Sequence, residues 1–287
     1  MDSDAVESRA RGRTGARVPP GRLGWRVWIS GASTGIGAAL AGELIARGCD
    51  VALFARTESR LAQLQAELCS RSPESRVIYQ AGDVSDRQSV RAAIDATVRE
   101  FGGVDAVILN AGIGDMMLPD DFDAEVVERI TMVNYLGAIY GIEAVLPEML
   151  RRRSGIIAGV SSIGAVRGFP ISAPYCASKA ALTSFLESLR NDLYGRGVQV
   201  TIVSPGFVKT PLTDRNHFPM PFRQTPETAA RIIVNGIAGG KREVHFPKRL
   251  TIPLKLLRCM PGVLFDALMR RFVVGRRYHK TANGESE

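Results

Sequence analysis

Tyr175 and Lys179 stand four residues apart in A-P-Y-C-A-S-K-A, residues 173–180. Around them Ala177, Ala180, Ala181, Leu182, Phe185, Leu186 and Leu189 recur at helical spacing, and residues four apart stack on one face of a helix. A phenol with its ordinary pKa of about 10 is a poor proton donor or acceptor near neutrality. An ammonium one turn away favours the phenolate and draws that value toward working pH, as acid–base catalysis requires. Ser162 lies thirteen residues before Tyr175, directly after the apolar run Gly155 to Val160. Read as a buried strand, that run delivers the hydroxyl to the C-terminal edge of a sheet, where open α/β sheets bind ligands. Alone, Tyr-x-x-x-Lys is a weak pattern that any long surface helix can contain, so the remaining elements decide its meaning.

Those elements alternate strand and helix. Arg26 to Ser30 reads as a short apolar strand that ends in Gly31-Ala-Ser-Thr-Gly35-Ile-Gly37 and runs into a helix reaching Arg47. Such a turn leaves the backbone of Gly31, Ser33, Thr34, Gly35, Ile36 and Gly37 unobstructed at a helix N-terminus, where a pyrophosphate binds. Placed between a first strand and a helix, the glycine spacing is a strong pointer to a dinucleotide. Val51 to Ala55 is a second strand. An acid at its end would bind the adenosine 2′-hydroxyl of NAD, but Ala55 holds that place and Arg56 follows. A guanidinium pairs bidentately with a 2′-phosphate, so NADP(H) is expected over NAD(H).

Glu58 to Arg71 is expected as an amphipathic helix and Val77 to Gln80 as a third strand. Asp83-Val84 follows, with a carboxylate placed to accept from an adenine amino group. Ser85 reads as the N-cap of a helix to Phe101. Val104 to Leu109 is a fourth strand, then Asn110-Ala111-Gly112, small enough for the backbone to approach a flat cofactor. Asp121 to Arg153 reads as one helical stretch containing Asn134. Buried there, its amide and backbone could hold a water linking Lys179 to bulk solvent. After a helix to about Gly195, Val198 to Val203 is the sixth strand. Its loop, carrying Pro205, Gly206, Val208 and Thr210, reaches the same sheet edge as the glycine turn, with Thr210 as a hydroxyl contact to a nicotinamide. Residues 207–225 carry Phe207, Leu212, His217, Phe218, Met220 and Phe222 among prolines and read as a mobile apolar lid, His217 at its rim. Pro226 to Ala238 is a helix and Glu243 to Phe246 a last strand.

The chain has 287 residues, 45% hydrophobic and 23% charged, the balance of an ordinary soluble domain. It contains no run of 18 apolar residues, so no spanning helix is expected. Met1 to Pro20 has no apolar core and carries Asp2, Asp4 and Glu7, so neither a secretory signal nor a transit peptide is expected. Cysteines 49, 69, 176 and 259 and histidines 217, 245 and 279 are scattered. No metal site or disulfide framework is expected, and a reducing, cytoplasmic compartment is the default. Cys176 reads as a small buried residue rather than a nucleophile. The net charge of +8 is uneven: residues 241–287 hold eleven Lys and Arg against four acids, and residues 1–24 five against three. The body between them is near neutral, so the basic balance gives no reason to expect a nucleic-acid partner.

With these motifs in this order from Trp25 to Phe246, the chain resembles the short-chain dehydrogenase/reductase family. Ser30-Gly31, Gly35 and Gly37 match its cofactor glycines, with Ser in place of the usual Thr. Asn110-Ala111-Gly112 matches its N-A-G element, and Pro205-Gly206 with Thr210 its cofactor-closing loop. Asn134, Ser162, Tyr175 and Lys179 match its tetrad. The resemblance implies a three-layer Rossmann-type doubly wound α/β fold, a seven-stranded parallel sheet in the order 3-2-1-4-5-6-7 flanked by helices. It implies hydride transfer between a nicotinamide and a carbonyl or alcohol carbon, with Tyr175 as general acid/base and Ser162 hydrogen-bonding the reacting oxygen. Lys179 would lower the tyrosine pKa and hold the nicotinamide ribose, and Asn134 would support a water relay. A homodimer or homotetramer is implied as well.

Met116, Met117, Ile163, Val166, Phe169, Phe207 and Leu212 are the candidate substrate lining, suited to a hydrophobic ketone, aldehyde or secondary alcohol. The competing class is a non-catalytic NADP(H)-binding sensor or scaffold, although such proteins typically lose the tyrosine or lysine. The expected organisation is a disordered basic leader over 1–24, one catalytic domain over 25–247, and a basic amphipathic extension over 248–287. That extension either lies on an anionic membrane surface or packs on the domain, covers the substrate mouth or enters a subunit interface.

Overall fold

The computed structural model describes residues 22–214 and 219–271. Most of the expected leader (to residue 21), His217 and Phe218 of the expected lid, and the last sixteen residues of the extension lie outside them. Seven parallel strands form one sheet in the order β3-β2-β1-β4-β5-β6-β7. They are β1 (Arg26–Ser30), β2 (Asp50–Ala55), β3 (Val77–Ala81), β4 (Ala106–Leu109), β5 (Gly155–Val160), β6 (Val198–Pro205) and β7 (Glu243–Phe246). Every residue of β2, β4 and β5 is buried, which a parallel sheet covered on both faces requires.

Alternation along each strand feeds two separate cores. In β1, Val27 and Ile29 point to one face and Trp28 to the other. On the first face lie α1 (Gly35–Ala46), α2 (Glu58–Arg71) and α7 (Pro226–Ala238), contributing Leu40, Leu44, Leu61, Leu68, Ile233 and Ile237. On the second lie α3 (Arg87–Phe101), α5 (Gly137–Arg152) and α6 (Ala173–Asp192), contributing Ile94, Phe101, Ile142, Met149, Leu182 and Leu186. At the strands' N-terminal edge, Arg26 holds Asp105 through Nε and Nη2 at 2.8 and 2.5 Å, and Arg76 holds Asp50 at 2.8 Å. The C-terminal edge is left to the loops.

Four local features differ from the sequence reading. Among the described residues, contacts with the body already precede Trp25: the Leu23 amide donates to the Arg47 carbonyl at 2.9 Å and its side chain joins the first core. Asp86, not Ser85, caps α3, its side chain accepting from the Gln88 amide at 2.9 Å. The fourth strand begins at Ala106, since Asp105 is occupied by Arg26. The long helix is broken in the middle: α4 (Ala124–Thr131) passes through a π-helical turn, Met132–Leu136, before α5 begins.

The run from Ala124 to Arg152 is long and apolar enough to cross a membrane, but close to half of its most apolar window is buried inside the domain, where Ile142, Val145 and Met149 serve the second core. It is a core helix. Beyond β7 the chain continues through α8 (Lys248–Leu256) and α9 (Gly262–Met269).

Candidate active site

The glycine turn after β1 delivers α1 with its first amides free. Thr34, at the N-cap, makes no side-chain cap and no acid stands in the first turn, so these donors await an outside acceptor. Gly35 has φ +57, and a Cβ there would sit 2.9 Å from Cγ2 of Thr210. Glycine is what lets the loop after β6 close on the turn. Gly37 does not line the cleft; it lies beneath the turn, where a side chain would run into the Gly31 carbonyl. Gly31, Ser33, Thr34, Gly35 and Ile36 do line an open cleft of about 310 Å³.

Along the same cleft lie Arg56, Asp83, Val84, Asn110, Ala111, Gly112, Pro205, Gly206, Val208 and Thr210, all expected from sequence. Asp83, Asn110 and Thr210 already have side-chain partners within the protein, the Thr210 hydroxyl meeting that of Thr213 at 3.3 Å. One Asp83 oxygen accepts from the Ser85 amide and hydroxyl at 2.9 and 2.7 Å, leaving the other oxygen for a ligand. The Asn110 side chain donates to the carbonyls of Ser30 and Gly31 at 3.2 and 3.1 Å. The Ser30 hydroxyl in turn accepts from the amides of Asn110 and Ala111 at 3.1 and 3.2 Å. Asn110 therefore ties β1 to β4 and presents its backbone to the cleft.

Sequence reasoning missed Arg60, which lines the cleft beside Arg56 and Thr57. Both arginines are exposed and neither has a hydrogen bond or ion pair among the described residues. The signal was available: Arg60 is four residues past Arg56 at the start of α2, so it faces the same way.

Ser162, Tyr175 and Lys179 line the same cleft. Ser162 opens the short turn after β5, its hydroxyl accepting from the Gly164 amide at 3.0 Å. It is also hydrogen-bonded to Tyr175. Tyr175 and Lys179 share the cleft face of α6. The preceding residue, Ser161, clamps strand to helix by donating to the Lys179 carbonyl at 3.0 Å. Lys179 is 3% exposed, donates to the Val160 carbonyl at 2.8 Å, and burial lowers its pKa to about 8.

The expected depression of the tyrosine is reversed here. Burial pushes Tyr175 above its ordinary value, the Ser162 hydrogen bond opposing it only in part. The lysine proton is directed at Val160, so it offers the phenol little. Cys176, next to Tyr175, is buried and its thiol is raised by desolvation, so it stays protonated and unreactive.

Asn134 sits in the π turn, 1% exposed. Its Oδ1 accepts from the Ile113 amide at 2.8 Å, and its Nδ2 donates to the Ile113 carbonyl and the Ser178 hydroxyl at 2.9 and 3.0 Å. The side chain pins the loop after β4 to α6. The side-chain amide is therefore engaged by the Ile113 backbone and the Ser178 hydroxyl.

Of the expected substrate lining, Leu212 faces the cleft, and Gly114 stands between it and Tyr175. The other positions do not. Met116 is 38% exposed, and Ile163 is buried. Phe207 pairs through its backbone with Gln224. Phe169 meets Phe265 of α9 edge to face, with centroids 6.2 Å apart. Thr213 and Asp214 are tethered too, since Arg223 donates to the Thr213 hydroxyl at 2.9 Å and pairs with Asp214.

The contact between Phe169 and Phe265 belongs to a latch. Arg167 donates to the carbonyls of Arg258 and Met260 at 3.3 and 3.2 Å and stacks over the Phe265 ring at 4.4 Å. Phe265→Ala is expected to weaken the docking of α9 by about 3 kcal/mol. Limited proteolysis should then cut after Pro247 faster than in the unaltered chain; an unchanged digestion pattern would show that the latch holds nothing.

A family model described as short chain dehydrogenase matches residues 26–218. An uncharacterized oxidoreductase of Myxococcus xanthus is 41% identical over 245 residues, 85% of this chain and 95% of the relative. The 11-beta-hydroxysteroid dehydrogenase 1A of Arabidopsis thaliana is 34% identical over 240 residues, 77% of this chain and 68% of the relative. Among solved structures, levodione reductase superposes with a TM-score of 0.72 at 23% identity, covering 79% of this chain and 97% of that one. A short chain dehydrogenase/reductase from Burkholderia phymatum, in complex with NAD, gives 0.73 at 24% identity, covering 80% and 92%. At such identities these two superpositions speak for the fold.

Proposed function

We propose, on the premise that the chain belongs to the short chain dehydrogenase family, that it is an NADP(H)-dependent oxidoreductase acting on a hydrophobic ketone or aldehyde, or on a secondary alcohol. One observation carries the reading: Ser162, Tyr175 and Lys179 line the same cleft as the uncapped N-terminus of α1. The residues suit a nicotinamide dinucleotide, with free α1 amides for its pyrophosphate and the Asn110–Gly112 backbone beside the remainder. When bound, that coenzyme supplies the hydride acceptor or donor.

The chain's own groups supply the rest. Ser162 orients the substrate oxygen by a hydrogen bond, and Tyr175 gives a proton to it or takes one from it. Lys179 holds a positive charge, or a donor, under the site. Asn134 is a positioning residue that keeps the floor of the cleft registered against α6. Burial and the apolar wall at Leu212 exclude water around the reacting carbon. A steroid-like or similarly apolar substrate agrees with that wall and with the named activity of the Arabidopsis relative.

The preference for NADP(H) rests on Arg56 and Arg60, two unpaired guanidiniums beside a strand end that lacks an acid. The Arg56→Ala/Arg60→Ala protein is expected to lose about tenfold to a hundredfold in kcat/KM with NADPH and little with NADH, since charge-assisted hydrogen bonds are worth about 1.5–3 kcal/mol. Equal kcat/KM of the unaltered protein with the two coenzymes would overturn the preference. A homodimer or homotetramer and a cytoplasmic location complete the proposal. Four unpaired cysteines agree with a reducing compartment.

A further inference from the structure

The segment Lys248–Arg271 has an inner and an outer face. The inner face is committed to the domain. Thr251 is fully buried, its hydroxyl within 2.7 Å of Nδ1 of His245 and donating to the Pro247 carbonyl at 3.2 Å. Leu250 packs on Gly206, and Phe265 is clasped by Arg167 and Phe169.

The outer face has no such partner. On α8, Lys248, Ile252 and Leu256 are exposed at successive helical turns, with Arg249 beside them. On α9, Val263 and Leu264 are exposed, and Arg270 and Arg271 follow. Ile252, Leu256, Val263 and Leu264 are 48, 67, 81 and 59% exposed, four of the nine large hydrophobic side chains left exposed among the described residues. The segment carries six basic residues against one acid, Asp266. Of the six, Lys255 alone has a described ion-pair partner, Glu243.

Aliphatic side chains flanked by unpaired cations are the chemistry of a lipid–water boundary, where apolar groups enter the headgroup region and the cations meet anionic lipids. A nucleic acid would reward aromatic groups for stacking, and this face presents none. We propose that the outer face of α8 and α9 docks on an anionic phospholipid surface.

Flotation of the full chain with lipid vesicles tests this. The protein is expected to float with vesicles of phosphatidylcholine containing phosphatidylserine, more weakly with phosphatidylcholine alone, and to be partly released by added salt. Ile252→Asp/Leu264→Asp, two exposed positions outside both cores, should lower the bound-to-free ratio about tenfold or more with an unchanged melting temperature. Arg249→Glu/Arg270→Glu should abolish the preference for phosphatidylserine. The proposal is overturned by failure to float on the anionic vesicles, or by equal flotation of the aspartate variant. It is also overturned if the aspartate variant has a smaller mass in solution than the unaltered protein, because the face would then join two copies of the chain.

Discussion

Tyr175→Phe is expected to lower turnover by roughly two to four orders of magnitude while NADPH binding survives. The phenylalanine ring keeps the shape of the original, which stands beside Gly114 and Gly164, so the loss reports the hydroxyl alone. That hydroxyl is held by Ser162 and raised above its ordinary pKa by burial, so it is protonated throughout the neutral range. Carbonyl reduction, which takes a proton from the phenol, should be level through neutral pH. Alcohol oxidation needs the phenolate and should climb with pH, without levelling off at the ordinary phenol value of about 10. Absorbance of NADPH follows turnover in both directions, and quenching on titration follows binding. A variant that binds coenzyme and turns over at the unaltered rate would remove Tyr175 from the chemistry.

Lys179→Met should abolish most activity and yet yield a protein at least as stable at neutral pH. The lysine is 3% exposed and its pKa falls from 10.5 to about 8 through desolvation. Below about 8 the group is charged in both the folded and unfolded chain, and its burial costs the folded state about 3 kcal/mol. Between about 8 and 10.5 the folded protein gives up this proton while the unfolded chain keeps it, so stability rises with pH across that window. Methionine removes the charge, but it leaves the Val160 carbonyl without its donor, a loss of about 1–3 kcal/mol. The net gain at pH 7 is thus about 1 kcal/mol, shrinking as pH rises through the window. Urea melts of both proteins across this range decide the matter. A variant markedly less stable at neutral pH, with the same pH slope as the unaltered chain, would show that Lys179 is not buried at a cost.

The glycine turn, the delivery of Ser162 by a strand end and the alignment of Tyr175 with Lys179 were legible because each depends on local spacing, whereas the sheet order followed from the family resemblance alone. What stayed hidden depends on groups distant in sequence. The π turn at Asn134 exists because its amide finds Ile113 and Ser178, a pairing that no periodicity announces. Phe169 looked like substrate lining until α9 supplied Phe265 as its partner. The direction of the Tyr175 shift was misjudged because spacing gives proximity to a cation but not where its N–H groups point. Arg60 was within reach of the same i to i+4 logic that found the tyrosine and lysine.

The π turn also limits how the chain can be shortened. Each helical residue advances the chain by about 100°, so α4 and α5 keep their separate headings through one surplus residue at Met132–Leu136. Excising a single residue there would restore an uninterrupted ladder and better local geometry. It would also swing α4 out of phase with α5 and withdraw Asn134 from the loop it braces. The more regular rod would be the poorer scaffold, because the irregularity is what sets the angular alignment of the cleft floor.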